Sequence, residues 1–251
     1  MKPGDKVGAA FAFFTILPLS GGSLQAAADA GWLLPLVALA LGTLEGLAAW
    51  GLSFMFAPLV TAALVLALAL VMTGFHHADG VADTGDAFMV RGDAARRLAV
   101  LKDRTLGVGA AGALILTYLI SWSALAETIA ALTGPELIAA MIIVEVSARL
   151  CLLLVARLTP PSHQGSGSVF LNALKGWRGI AGIALSLAAL VPAALMIQWT
   201  AFSPVPAVIA AALLISVIAR RWFGGAGGDI LGASVEWGRM VALLALAASL
   251  T

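Results

Sequence analysis

The chain has 251 residues, of which 61% are hydrophobic and only 11% charged, with a mean hydropathy of +1.04 and a net charge of +1. Soluble domains run at about 45–50% apolar and about 25% charged, so the charged residues here are too few to cover a water-facing surface and lipid must be the main solvent. The near-zero charge gives no reason to expect a nucleic-acid partner, and a single cysteine, Cys151, excludes an internal disulfide and a Cys-rich metal site.

The expected fold is therefore all-α: a polytopic integral membrane bundle of about seven transmembrane helices, forming one membrane domain over residues 1–251. Lys2 and Lys6 precede an apolar run to Leu19, which reads as a short interfacial helix broken by Pro18 and Gly21-Gly22. A cleaved signal peptide is the other reading of that stretch. Spans long enough to cross a bilayer follow at 31–50, 57–76, 107–126, 136–157, 179–199, 204–220 and 234–250. The connections at 51–56, 127–135 and 200–203 are short and carry no Lys or Arg, whereas those at 77–106, 158–178 and 221–233 are longer and polar. Seven spans put Lys2, Lys6, Arg91, Arg96, Arg97, Lys102, Arg104, Arg157, Lys175, Arg178, Arg220 and Arg221 on one side. Lys and Arg are retained in the cytoplasm during insertion, so the amino terminus is expected inside and the carboxy terminus outside.

Directly after the second span comes Asp79-Gly80-Val81-Ala82-Asp83-Thr84-Gly85-Asp86, preceded by His76 and His77. If the helix continues past the membrane surface, Asp79, Asp83 and Asp86 fall at i, i+4 and i+7 on one face. Like charges so spaced destabilise a bare helix, and a cation reverses the sign of that cost. Hard divalent ions such as Mg²⁺ take carboxylate oxygens and share their coordination with substrate phosphates. Gly80 and Gly85 are expected to let a bulky ligand approach the backbone. The bland alternative is a solvated polar face. Further along, Lys102 and Arg104 suit phosphate oxygens, Asp103 suits the same metal cluster, and Gly107 and Gly109 are expected to turn backbone N–H groups toward an anion.

Two spans carry ionisable pairs: Glu145 with Arg149 at i, i+4, and Glu236 with Arg239 at i, i+3. They read either as charges facing a cavity or as internal pairs that fix helix packing. Glu45, between Gly42 and Gly46, reads as close helix packing with a snorkelling carboxylate. The last polar connection, with Gly224, Gly225, Gly227 and Gly228 before Asp229, suits a tight loop where backbone meets ligand and forms a second wall of the same site. No Gly-Lys-Ser/Thr follows, so it is not a Walker motif.

The acidic stretch, preceded by Thr73-Gly74 and His77, resembles the signature of the bacterial cobalamin synthases, the adenosylcobinamide-GDP ribazoletransferases. Phe14-Thr15-Ile16-Leu17-Pro18 is similar to that family's amino-terminal motif. Lys102-Asp103 with Leu106-Gly107 is similar to its second segment, and Gly224-Gly225, Gly228-Asp229, Leu231-Gly232-Ala233 and Glu236 to its last. The chain departs from the pattern at Arg104-Thr105, where the family has Ser-Arg, at Gly227 in place of Thr, and at Arg239 in place of a second carboxylate. The resemblance implies a Mg²⁺-dependent transferase of the cytoplasmic (inner) membrane, with its active site facing the cytoplasm. A hydroxyl of α-ribazole, or of its 5′-phosphate, would attack the cobinamide-linked phosphorus of adenosylcobinamide-GDP, releasing GMP. It implies Asp79, Asp83, Asp86 and His77 as catalytic. Asp79, Asp83, Asp86 and Asp103 would bind metal, and Lys102, Arg104, Gly107, Arg149, Gly228, Asp229 and Glu236 substrate. A homo-oligomer is compatible with all of this. A transporter using the intramembrane charges, or a CDP-alcohol phosphotransferase, are the competing readings.

Overall fold

The computed structural model describes residues 3–19, 23–103 and 105–250, so Lys2, the Gly21-Gly22 break and Arg104 lie outside the described residues. Within them the chain is helical throughout, apart from turns and one isolated bridge between Pro161 and Ala226. In order come α1 (Pro3–Phe14), α2 (Leu24–Asp29), α3 (Leu34–Ser53), α4 (Pro58–Met72), α5 (His76–Met89) and α6 (Ala94–Val100). They are followed by α7 (Val108–Ala131), α8 (Pro135–Leu158), α9 (Ser166–Leu174), α10 (Trp177–Ile197), α11 (Pro204–Phe223) and α12 (Gly228–Leu250).

Among the described residues six helices are long and apolar enough to cross a membrane, namely α3 and α11, each with its preceding 3-10 turn, and α7, α8, α10 and α12. The expected second span, 57–76, is different. Helix α4 has 15 residues and ends at Met72; after Gly74 and Phe75, both left-handed (φ 61° and 59°), the chain turns by 94° into α5. The helix therefore does not run straight on from α4 into the acidic stretch. It breaks, and α5 packs as a polar helix across the first turns of α7 and α12. Left-handed backbone is rare for a bulky residue, which is why Phe75 gave no signal of the break in the sequence.

Helix α8 is the axis of the bundle. It is buried almost along its whole length, with α3, α10, α11 and α12 packed around it. Gly42 and Gly46 let α3 lie directly on it: a Cβ at Gly46 would come within 2.4 Å of Ile138 Cα. The outer flanks present Leu116, Ile180 and Leu214 to the surroundings, each more than half exposed, as lipid-facing positions should be. The connections containing α5–α6 and α9, and the turn at 224–227, gather at one end of the bundle. There Ala226 N donates to Pro160 O, and Arg220 reaches Leu158 O. At the other end Gln198 and Thr200 reach Ser249 O.

Candidate functional site

At the polar end, α5 presents two faces. His77, Gly80, Val81 and Thr84 point into the bundle, while Asp79, Asp83 and Asp86 share the opposite face. The glycines serve that inner packing. A Cβ at Gly80 would stand 2.4 Å from Asp229 O, and one at Gly85 would stand 2.7 Å from Gly109 O. The expectation that they admit a ligand is thus corrected, because they admit neighbouring helices. The carboxylate face opens into a cavity of about 260 Å³ walled by Asp79, Asp83, Asp86, Lys102, Asp103, Thr105, Leu106 and Ala110. Five of the positions read from the sequence therefore meet in one space, although Lys102 and Asp103 come from a separate segment.

The members of that wall differ in what already engages them. Asp86 accepts from Gly107 N (2.7 Å) with one oxygen and from Ala110 N (2.8 Å) with the other, so it caps the start of α7. The anion facing those N–H groups is thus the protein's own carboxylate, which corrects the expectation that Gly107 faces substrate. Asp103 accepts from the backbone and hydroxyl of Thr105. Asp83 is pushed up from the ordinary aspartate value to about 7, first by burial and then by the negative charges of Asp79, Asp229 and Asp86. This crowd of oxygen donors is unfavourable by itself and suits a hard cation. Among the described residues no three acidic, His or Cys side chains already stand in ion-holding geometry. Mg²⁺ seldom needs that, since it is commonly held by one or two carboxylates plus phosphates and water.

Helix α12 starts at Gly228, six residues before the expected span, so Asp229 and Gly232 are helical rather than part of a loop. Gly227 O accepts from Leu231 N (3.1 Å) to close its first turn. Gly228 and Gly232 line a second cavity, of about 420 Å³, with Phe13, Phe14, Thr73, His76, His77, Ser166 and Phe170 among its walls. Gly228 and His77 were legible in the sequence; the aromatic wall was not. Phe14 stands in the amino-terminal motif, but Phe170 sits on α9, a helix inside what read as a polar connection.

Behind His77 lies a chain of buried charge. His77 Nδ1 stands 3.8 Å from Glu236 Oε1. Arg239 NH1 donates to Glu236, Arg239 Nε donates to Glu145 Oε1 (2.6 Å), and Arg149 donates to the other Glu145 oxygen. The two sequence pairs are thus one cluster joining α8 and α12. Arg149, expected at substrate, has no exposed surface and faces Glu145 inside the bundle. Glu236 is likewise enclosed and stands behind His77, which lines the cavity. Glu45 is 2% exposed and points inward, so its carboxylate does not snorkel.

Residues 6–247 match a family model described as cobalamin-5-phosphate synthase. A protein of Halorubrum lacusprofundi described as adenosylcobinamide-GDP ribazoletransferase is 37% identical over 248 residues, covering 93% of this chain and 93% of its own. Proteins with the same description from Geobacillus kaustophilus (33% identical; 92% of this chain, 91% of the relative) and Shigella flexneri (34%; 84% and 85%) are similar over nearly as much. No solved structure matches.

Proposed function

The chain belongs to the cobalamin-5-phosphate synthase family, and from that premise we propose that it joins α-ribazole, or its 5′-phosphate, to adenosylcobinamide-GDP with release of GMP. The observation that carries the reading is the acidic cavity on α5. It lies inside the matched span and has the donor chemistry that a pyrophosphate-cleaving site needs.

A hydroxyl oxygen of the ribazole sugar forms the new bond to the cobinamide-linked phosphorus. The P–O bond to GMP breaks, GMP leaves with that electron pair, and the hydroxyl proton passes to a base. Asp79 and Asp83 would hold Mg²⁺, with Asp103 in the same cavity, and the bound ion would neutralise the pyrophosphate and the departing charge. Lys102, on the same wall, is a point charge for phosphate oxygens. Asp86 keeps the start of α7 in place beneath them. His77, buried at the second cavity and backed by Glu236, is positioned for the proton, as Asp79 is from the other side of α5. Arg104 is proposed as a further phosphate contact from its place in the sequence alone.

The polar end is read as the cytoplasmic face of the inner membrane, on the support of the basic residues in its connections. Four of the intramembrane charges, Glu145, Arg149, Glu236 and Arg239, pair with one another, which favours a structural core over a transport path. The test is purified protein in detergent, where no compartments exist. With Mg²⁺, adenosylcobinamide-GDP and α-ribazole it should release GMP in step with the joined corrinoid, and chelation should stop both. Well-folded protein that forms neither would refute the reading.

A further inference from the structure

The two cavities at the polar end differ in chemistry. One is walled by carboxylates and Lys102; the other is mostly apolar, with aromatic rings and a few polar groups in its lining. In the second, Phe13, Phe14 and Phe170 form a closed set, with ring centroids 4.9–5.6 Å apart. Phe13 is 41% exposed although it belongs to this set. The same cavity is lined by Thr73, His77, Ser166 and the first turn of α12 at Gly228. His77 is 7% exposed and lines the cavity, and its Nδ1 is turned to Glu236 Oε1 at 3.8 Å.

We propose that this cavity is the α-ribazole subsite, with the flat base against Phe13, Phe14 and Phe170 and the sugar at His77 and Gly228. The inference rests on the proposed function for the identity of the nucleoside. Size decides between the two substrates. About 420 Å³ is at the lower end of small-molecule sites, which run from about 300 to 1,000 Å³. It suits a two-ring base on one ribose and is too small for a corrin macrocycle with its side chains. Aromatic faces suit a planar base, and a few polar groups suit a sugar. The neighbours along the chain then bring the reactants together. Gly228 lines this cavity while adjacent Asp229 sends its charge toward Asp83, and His77 lines it while Asp79 lies two residues on, across α5. A sugar hydroxyl at this end of the cavity faces a phosphorus held at the carboxylates.

The test is a split between the two Michaelis constants in purified protein. Phe13→Ala, at the exposed edge of the set, and Phe170→Ala, at its buried side, should each raise KM for α-ribazole about tenfold or more, the usual scale for losing base–aromatic stacking. KM for adenosylcobinamide-GDP should stay within about twofold, and saturating α-ribazole should restore most of kcat. A rise in the corrinoid KM instead, or no change in either constant with both variants folded, would overturn the assignment. Equilibrium dialysis of α-ribazole against wild type and Phe13→Ala separates the two levels. Binding weakened by the substitution supports the subsite even if wild type releases no GMP, and equal binding to both refutes it.

Discussion

Substituting Gly80 with Ala separates a residue that admits a helix from one that admits a ligand. The new Cβ would lie 2.4 Å from Asp229 O and 3.0 Å from Ala233 N, both backbone atoms that cannot swing aside as a side chain can. Restoring an ordinary contact requires α5 and α12 to part by about 1 Å. Overpacking of this kind costs about 1–3 kcal/mol, so the thermal midpoint in detergent should fall by a few degrees (roughly 2–4 °C per kcal/mol at this size) while the protein still folds. The activity loss should be larger than the stability loss. The parting moves Asp79 and Asp83 relative to Asp229, and a misplacement of about 1 Å can cost about a hundredfold in rate. Gly51→Ala, at a position with nothing within 4 Å, is the matched control and should leave turnover unchanged. The assay is GMP release at saturating substrates, read beside the melting curve. A Gly80→Ala enzyme that turns over within about twofold of wild type would refute the claim that the α5–α12 contact sets the site's geometry.

Asp79→Asn and Asp83→Asn should each lower turnover by orders of magnitude while inserting normally, because the amide keeps the shape and loses the charge that Mg²⁺ needs; near-normal rates would make the cluster a solvated face. Asp83 is raised to about 7, so it holds a proton below that pH and must lose it to take metal. Mg²⁺ affinity measured by titration should therefore fall by up to about tenfold per unit as pH drops from 7 to 5, level off above pH 8, and lose much of that slope in Asp83→Asn. Glu145→Ala strands Arg149 and leaves Arg239 with Glu236 alone, a loss of about 3–5 kcal/mol for breaking a buried pair. Its thermal midpoint should drop well below that of Glu45→Gln, whose Oε1 makes no hydrogen bond, and equal midpoints would show the cluster to be energetically idle. With Cys151 replaced, a cysteine at Ser53 should react with an impermeant thiol reagent on intact cells and one at Gln164 should not; both positions are exposed at opposite ends of the bundle, and the reverse labelling would invert the topology.

The membrane class, the gathering of polar segments at one end and the shared face of Asp79, Asp83 and Asp86 were all legible, because each follows from composition or from helical period. What was not legible depends on tertiary contact. The break after Met72 needs a left-handed Phe75, which only the packing of α5 across α7 and α12 can hold. The engagement of Asp86 with Gly107 and Ala110 joins residues 21 and 24 positions apart. No periodicity in either segment announces it. The joining of two ion pairs through Arg239 and Glu145 spans 94 positions, and each pair looked complete within its own helix. Phe170 escaped for a plainer reason: a nine-residue helix in a polar connection has too few turns for its apolar face to stand out.

Several of these features meet on one element. Helix α12 offers Gly228 to the aromatic cavity and Asp229 to the carboxylates in its first turn. Two turns deeper it offers Glu236 to His77, and one turn further Arg239 to Glu145. A helix is stiff along its axis, and charges buried in a low dielectric cannot drift without leaving a partner unsatisfied. The deep cluster therefore fixes the rotation and depth of α12 relative to α8. Through that one helix it sets where Gly228, Asp229 and the backing of His77 stand at the polar end. A membrane enzyme has little hydrophobic driving force between its helices, since lipid competes for apolar surface as well as protein does. Interhelical charge gives the bundle a register that apolar packing alone would specify less sharply, and here that register ends at the residues around the two cavities.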